Sequence, residues 1–315
     1  MKLNIEMGRV IYTIGETVLD IIFRDGRPVS AIPGGSMLNS AVSLGRAGLK
    51  VELISEYGSD QTGGIIDSFL LENKVGTRHI TRFTEGKTAL ALAFLDKKSN
   101  ASYSFYTSYP GIRMKEPLPL VNKGDIILFG SIYSITPGIH GKISQWIRKS
   151  KTRGAVIVFD PNFRKSHLDK LEKARPWIVE NISLADIVRG SDEDFLTIFN
   201  LKKPEEVKTK VRACGCTNLI ITRNSKSVIA WFGDKKILVD IPPVKPLLST
   251  VGAGDSFNAG IIYALATAGP GNASADLEAA GTPERIIKTG VAFAAEVCKS
   301  FENYISPRFS KSLKP

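Results

Sequence analysis

Ser249-Thr250-Val251-Gly252-Ala253-Gly254-Asp255-Ser256-Phe257 is the stretch whose residue types and spacing could do chemistry. Gly252, Ala253 and Gly254 carry almost no side chain, so their backbone N–H groups can come close to an anion, and glycine accepts a positive φ if the turn needs one. Phe257, Ile261, Ile262 and Leu265 follow at helical spacing. That predicts a helix whose N-terminus lies at the glycines, where unpaired N–H groups and the dipole favour negative charge. Asp255 falls in its first turn. The carboxylate there has two readings: a complement to the helix dipole, or an acceptor for the proton of a hydroxyl attacking a phosphorus held nearby. No Gly-Lys-Ser/Thr follows, which removes a Walker loop, and the third glycine and early βαβ position of a dinucleotide fingerprint are missing.

The elements that must position this stretch alternate. Val10 to Gly15 reads as a buried first strand, Leu19 to Phe23 as a further extended segment, and Arg24 to Pro28 as turn chemistry. Within that segment Asp20 is either an edge-strand carboxylate facing water or a carboxylate gripping sugar hydroxyls. Pro33-Gly34-Gly35 opens a helix from Met37 to Ala47 ended by Gly48, with Asn39 its polar exception. Val51 to Tyr57 is a strand, and Gly58-Ser59-Asp60 leads into an amphipathic helix reaching about Glu72. Thr88 to Leu95 and Ala101 to Tyr106, joined by the polar turn Asp96 to Asn100, predict a hairpin. Combined with residues 18–32, this hairpin (residues 87–108) makes a small β-sheet projecting from a single main body that spans 1–315.

After Gly124 come strands at 125–129, 155–159, 186–188 and 218–222, with helices at 139–150, 168–182 and then through 213 between them. Apolar strands alternating with helices predict an α/β fold with a mainly parallel sheet covered on both faces. A hairpin over 227–232 and 236–241, a final helix from Pro283 to Phe301 and a loosely held tail from Ser306 complete the chain. Asp160-Pro161-Asn162-Phe163-Arg164, Ser191-Asp192-Glu193-Asp194 and Arg223-Asn224-Ser225-Lys226 each follow a strand end. Ligands in open α/β sheets bind at that rim, beside the Gly252 loop.

Composition bounds the function. With 315 residues, 43 % of them hydrophobic and 23 % charged, the chain has the makings of a large core. The net charge of +11 suits an anionic ligand, but Lys and Arg are scattered instead of clustered, which argues against nucleic acid. Residues 1–10 lack the apolar core of a signal peptide and no apolar run reaches the ~18 residues of a membrane span, so a cytoplasmic, membrane-free protein is expected. The three cysteines, Cys214, Cys216 and Cys298, give no disulfide framework, and neither they nor His79, His140 and His167 have metal-ligand spacing.

Gly34-Gly35-Ser36-Met37-Leu38-Asn39, with Gly45 and Gly48 after it, and Thr250-Val251-Gly252-Ala253-Gly254-Asp255 occur in that order. With Gly58-Ser59-Asp60 and Asp160 to Arg164, they make the chain from Val10 to Phe301 resemble the ribokinase-like (PfkB) carbohydrate kinases. Gly130-Ser131-Ile132 and Glu16 make it most similar to fructokinase-like members. The resemblance implies magnesium-assisted phosphoryl transfer from ATP to an exocyclic hydroxymethyl group of a small sugar, fructose first among candidates. Asp255 would be the base, and the N–H groups of Gly252, Ala253 and Gly254 would stabilise the transferring phosphoryl group. Asp20, Gly34, Gly35, Asn39, Asn162 and Arg164 would hold the substrate. Thr222, Asn224, Ser227, Gly252, Gly254 and Asp194 would face the nucleotide, Asp194 also supporting magnesium. The small sheet would be the family's lid, which excludes water and in several members forms a homodimer contact.

This sequence departs from the family's pattern at four places. Ser249 replaces an Asp that commonly helps hold a monovalent cation, so potassium is not carried over. The Asn-x-x-Glu element reads Ser191-Asp192-Glu193-Asp194, and Asn224 and Ser227 stand in the nucleotide loop for two expected glycines. Asn tolerates positive φ and can preserve such a turn. Two rival readings follow: a sugar- or nucleotide-binding sensor on a degenerate kinase fold, and a kinase acting on a nucleoside or ketodeoxygluconate.

Overall fold

The structure, a computed structural model, describes residues 9–95, 101–163, 165–268 and 282–313. Its main sheet has nine strands. In chain order these are β1 (Ile11–Ile14), β4 (Val51–Gly58), β5 (Val75–Phe83), β8 (Ile126–Gly130), β9 (Val156–Asp160), β10 (Ile187–Ser191), β11 (Leu219–Arg223), β12 (Ser227–Phe232) and β13 (Lys235–Asp240), where the missing numbers belong to the second sheet. The spatial order is β13-β12-β11-β10-β9-β8-β1-β4-β5. Pairing is parallel from β5 to β11, and the β12–β13 hairpin closes one edge antiparallel. The second sheet holds β2 (Val18–Arg24), β3 (Arg27–Gly34), β6 (Lys87–Leu95) and β7 (Ala101–Ser108), in the order β3-β2-β6-β7.

Helices cover both faces of the main sheet, as near-continuous apolar strands require. On one face lie α1 (Ser36–Arg46), α2 (Gln61–Glu72), α7 (Ala253–Ala266) and α8 (Thr282–Val297); on the other lie α3 (His140–Thr152), α4 (Leu171–Leu184), α5 (Asp192–Phe199) and α6 (Pro204–Ala213). Each face has its own buried core: Leu38, Ile261 and Phe293 belong to the first, Phe129, Ile147 and Phe195 to the second. The small sheet is different in kind. Its apolar cluster comprises only Val18, Ala89 and Ala91 with Tyr109 against them.

The fold is the expected one, with corrections. β5, which the sequence analysis omits, is an edge strand, and its burial follows no simple alternation. The helix expected over 168–182 is a 3₁₀ segment at Lys165–Lys170 followed by α4, and the strand expected over 186–188 runs on to Ser191. The tail from Ser306 contains a short helix that the sequence analysis does not foresee. Tyr304 and Ile305 are buried, and α9 (Pro307–Ser312) follows with its Phe309 ring edge-on to Phe293. The turn at 96–100, the N-terminal residues 1–8 and Arg164 lie outside the described residues. Among the described residues no helix is long and apolar enough to cross a membrane.

Candidate active site

Asp255 sits where two helix N-termini meet. Gly252 is the N-cap of α7 with φ +78°, so Asp255 lies in the first helical turn, as the apolar spacing predicts. The opposing helix α1 begins after Gly35, whose φ is +128° and whose position admits no side chain because a Cβ would fall on the Glu16 carbonyl. Ser36 and Asn39 are three residues apart on α1 and therefore share a face. The Ser36 hydroxyl donates to one Asp255 carboxylate oxygen at 2.7 Å and the Asn39 amide donates to the other at 2.9 Å. Ser40, one turn on, donates to the Asp255 carbonyl at 2.8 Å. Asp255 is buried, with its carboxylate oriented from the side that the glycine-rich α1 entry provides. Asn39 serves this carboxylate directly; its own Oδ1 is buried with no hydrogen-bond partner among the described residues.

The glycine turn is held from behind. A Cβ on Gly252 would meet the backbone of Asn303. That segment is tied to α1 by Arg46, which pairs with Glu302, donates to the Ile305 carbonyl and stacks on Tyr304, while Ser43 accepts from the Ile305 N–H. Of the three N–H groups expected to face an anion, that of Ala253 turns back to the Thr250 carbonyl at 3.3 Å. Ser249 accepts the Val251 N–H on its hydroxyl, and the Leu248 and Ser249 N–H groups both go to the Cys298 carbonyl. This loop is closed by its own hydrogen bonds and brings no carboxylate.

Asp20 projects from β2 over Gly34, the last residue of β3, where a Cβ would collide with its carboxylate. Here the absence of a side chain is what lets an acid lie against backbone. Beside it Glu16 accepts from Tyr109 at 2.7 Å, and burial first, then the Glu16 charge, pushes the Tyr109 hydroxyl well up. The Arg113 guanidinium lies 3.5 Å from the Tyr109 ring centroid and pairs with fully buried Glu56 at 2.6 Å, which Tyr133 also reaches at 3.1 Å. Glu56 escapes the sequence analysis, although an acid in the apolar run of β4 was the available signal.

Across the rim, the ends of β9, β10 and β11 converge on Arg189, a residue the sequence analysis passes over. Its guanidinium donates to Asp160 at 2.9 Å and to Thr222 at 3.0 Å. Asp160 also accepts from Asn258 of α7 at 2.6 Å and from the N–H of Asn162, whose φ is +38°. The signal was a cation inside an otherwise apolar strand. Asn224 takes φ +50° at the turn between β11 and β12, the geometry for which an Asn is suited. Ser227 is buried as the first residue of β12, in register with Arg223 and Asp240.

Asp194, expected to face the nucleotide and support magnesium, is engaged at a helix start. Ser191 and Asp194 form a capping box at the start of α5: one Asp194 oxygen accepts from the Ser191 N–H and hydroxyl, and the other from the Phe163 N–H at 2.8 Å. Burial and then the Asp160 charge push its carboxyl up, against the pull of Ser191 and Arg189. Both oxygens accept hydrogen bonds from the protein, so an ion would have to share one of them. Among the described residues no group of three or more His, Cys, Asp or Glu is placed to hold one. Magnesium fits this rim only as an ion carried by substrate phosphates and water, its usual manner of binding.

Two glycine-bounded helix starts, a buried carboxylate between them and a strand-end cluster of Arg189, Asp160 and Thr222 suit phosphoryl transfer. Comparison with known proteins agrees: residues 9–307 match the pfkB family of carbohydrate kinases. The chain belongs to that family. It is 30 % identical over 275 residues to a putative sugar kinase of Pyrococcus horikoshii, covering 84 % of each chain, and 24 % identical over 257 residues to a fructokinase of Vibrio alginolyticus, covering 81 % of this chain and 83 % of that one. Its fold superposes on Vibrio cholerae fructokinase in a fructose-, ADP- and calcium-bound form with a TM-score of 0.84 at 20 % identity, covering 96 % of this chain and 98 % of that one. The Pyrococcus sugar kinase in complex with ATP gives 0.78 at 26 % identity, covering 96 % of both.

Proposed function

We propose that this pfkB kinase transfers the γ-phosphoryl group of ATP to an exocyclic hydroxymethyl group of a small neutral sugar, with fructose the expected acceptor. The observation that carries this reading is the Asp255 carboxylate, held on both oxygens by Ser36 and Asn39 in the first turn of α7. In that position it accepts the proton of the attacking hydroxyl while the α7 N-terminus faces the charge that moves onto the phosphoryl group. The protein's task in such transfers is positioning and electrostatics. Asp20, Gly34 and Gly35 bind the sugar from the α1 side. Thr222, Asn224 and Asn162, beside Asp160, line the phosphate side.

Charge supports a neutral acceptor. Among the described residues beside the Gly34 turn, Glu16 and Asp20 are acids, and Arg113, stacked on the tyrosine that Glu16 engages, is already paired with Glu56. A sugar acid such as ketodeoxygluconate would bring a carboxylate to these acids. Fructokinase-named relatives point the same way. We further propose that two copies pair through the small sheet, which also covers the sugar during turnover and so limits transfer to water.

The test is ATP consumption by wild type and Asp255→Asn with fructose, ribose, ketodeoxygluconate and adenosine. Fructose-dependent turnover falling by about a hundredfold or more in the variant is the expected result, the scale of a lost general base. Turnover on adenosine or ketodeoxygluconate alone moves the acceptor. Silence from both proteins with sugar binding intact makes the fold a sensor.

A further inference from the structure

Gly254 has an ordinary φ, so backbone conformation does not explain why glycine stands there. Space does. A Cβ at Gly254 would sit 3.2 and 3.4 Å from the two terminal nitrogens of Arg189 and 3.7 Å from its central carbon. The guanidinium therefore lies directly against the first turn of α7, with the Phe257 ring of the same helix centred 5.3 Å away.

Arg189 is buried, and its fork is spoken for in two directions. One terminal nitrogen bonds Asp160, itself held by Asn258 of α7, and the other bonds Thr222 at the end of β11. The remaining Nε is buried without a hydrogen-bond partner among the described residues. An orphaned buried donor is uncommon and marks a side chain whose placement is dictated by its other contacts. Only a planar group with donors at fixed angles can meet a carboxylate and a hydroxyl on separate strands while lying flat under a glycine; a lysine ammonium is a point donor and cannot.

We propose that Arg189 is a positioning residue for phosphoryl transfer. It sets the height and angle of the Gly252–Gly254 turn against the strand ends that carry Asp160 and Thr222. The inference rests on the kinase reading above. Anion-stabilising donors work at about 2.7–3.1 Å from the developing charge, and misplacement by about 1 Å can cost about a hundredfold in rate. Displacing the turn lowers kcat while leaving sugar binding, which is built from β2, β3 and α1, in place.

The experiment compares wild type, Arg189→Lys, Arg189→Met, Gly254→Ala and the Arg189→Met/Gly254→Ala double variant, with kcat, both KM values and thermal unfolding measured on each. Arg189→Lys, which keeps the charge, is expected to lose about tenfold or more in kcat with the sugar KM within about threefold. Gly254→Ala is expected to lose kcat and melting temperature in the wild-type background and little of either once Arg189 is Met, because the methyl group then meets a chain that can move. Arg189→Lys with wild-type kcat, or losses that simply add in the double variant, overturns the inference. If Arg189→Met does not fold, the cycle is run with Arg189→Lys. An inactive wild type defeats the kinase reading instead, and the melting temperatures still report whether Arg189 and Gly254 are coupled.

Discussion

A methyl group on Gly252 would land 2.5 Å from the Asn303 carbonyl oxygen, in a residue already at φ +78°. Left-handed geometry alone costs a side chain about 1 to 2 kcal/mol, and here the obstacle is backbone that cannot swing aside. Gly48 separates the two effects, since it has φ +84° with nothing within 4 Å of its absent Cβ. Gly252→Ala is expected to lose clearly more stability than Gly48→Ala in denaturant unfolding; equal losses would mean the Asn303 contact gives way. Single residues of this kind divide into those a sequence announces and those it conceals. Gly252 and Asp255 stood out because short-range spacing places them at a helix start, and Asn39 stood out as the polar exception of α1, though its bond to Asp255 did not. Arg189 and Glu56 did not stand out, because their roles depend on partners from other strands, and a charged residue in an apolar strand reads at first as an exposed edge. Asp194 is a mixed case: spacing put it at the rim, but not the bonds it makes there, one oxygen to its own helix start at Ser191 and the other to the Phe163 N–H.

Between elements, one carboxylate joins the two sheets. Asp60 caps α2 through the Gly63 N–H at 2.9 Å and also accepts from the Thr88 N–H and hydroxyl at 3.0 and 2.6 Å, fastening β6 of the small sheet to the end of β4. Burial pushes its carboxyl up, but the bonds from Thr88 and Gly63 outweigh it and the net displacement is downward. A group whose folded value is lowered stabilises the fold above its unfolded value, and that stability is lost as pH falls through the folded one. Asp60→Asn is accordingly expected to melt below wild type near neutral pH, with the gap closing below about pH 4. A gap constant down to pH 2 would show that the ionised form contributes nothing. The Gly58-Ser59-Asp60 helix start was readable as a cap; its bond to Thr88, 28 residues away, was not. β5 and α9 were missed for a related reason. Their apolar residues are sparse: β5 is fixed by pairing with β4, while α9 has only a short local signal, Ser306 as N-cap with Pro307 at the first helical position.

For the whole molecule, the small sheet gathers several exposed aromatic side chains in one place. Phe94, Tyr103, Phe105 and Tyr106 are 41, 38, 52 and 59 % exposed, and β3 and β7 are open edges. Such edges and patches favour pairing with another chain. Light scattering is expected to give a dimer mass that Phe105→Glu with Tyr106→Glu reduces to a monomer; a monomeric wild type at working concentration removes the proposed contact. The same sheet also has a history built into its connections. Leu19 of β2 pairs in parallel with Leu90 of β6, and between them the chain first builds α1, β4, α2 and β5 of the main body. Closing that long loop has an entropic cost that an already assembled body can offset, and the small sheet's own apolar cluster of Val18, Ala89 and Ala91 adds little drive. In pulse-labelled refolding, amides from Leu19 to Phe23 are expected to gain protection after those from Val51 to Tyr57, and simultaneous protection would contradict this order. On that order the half of the site that carries Asp20 is completed last, after the strand-end rim around Asp160 and Arg189 has formed.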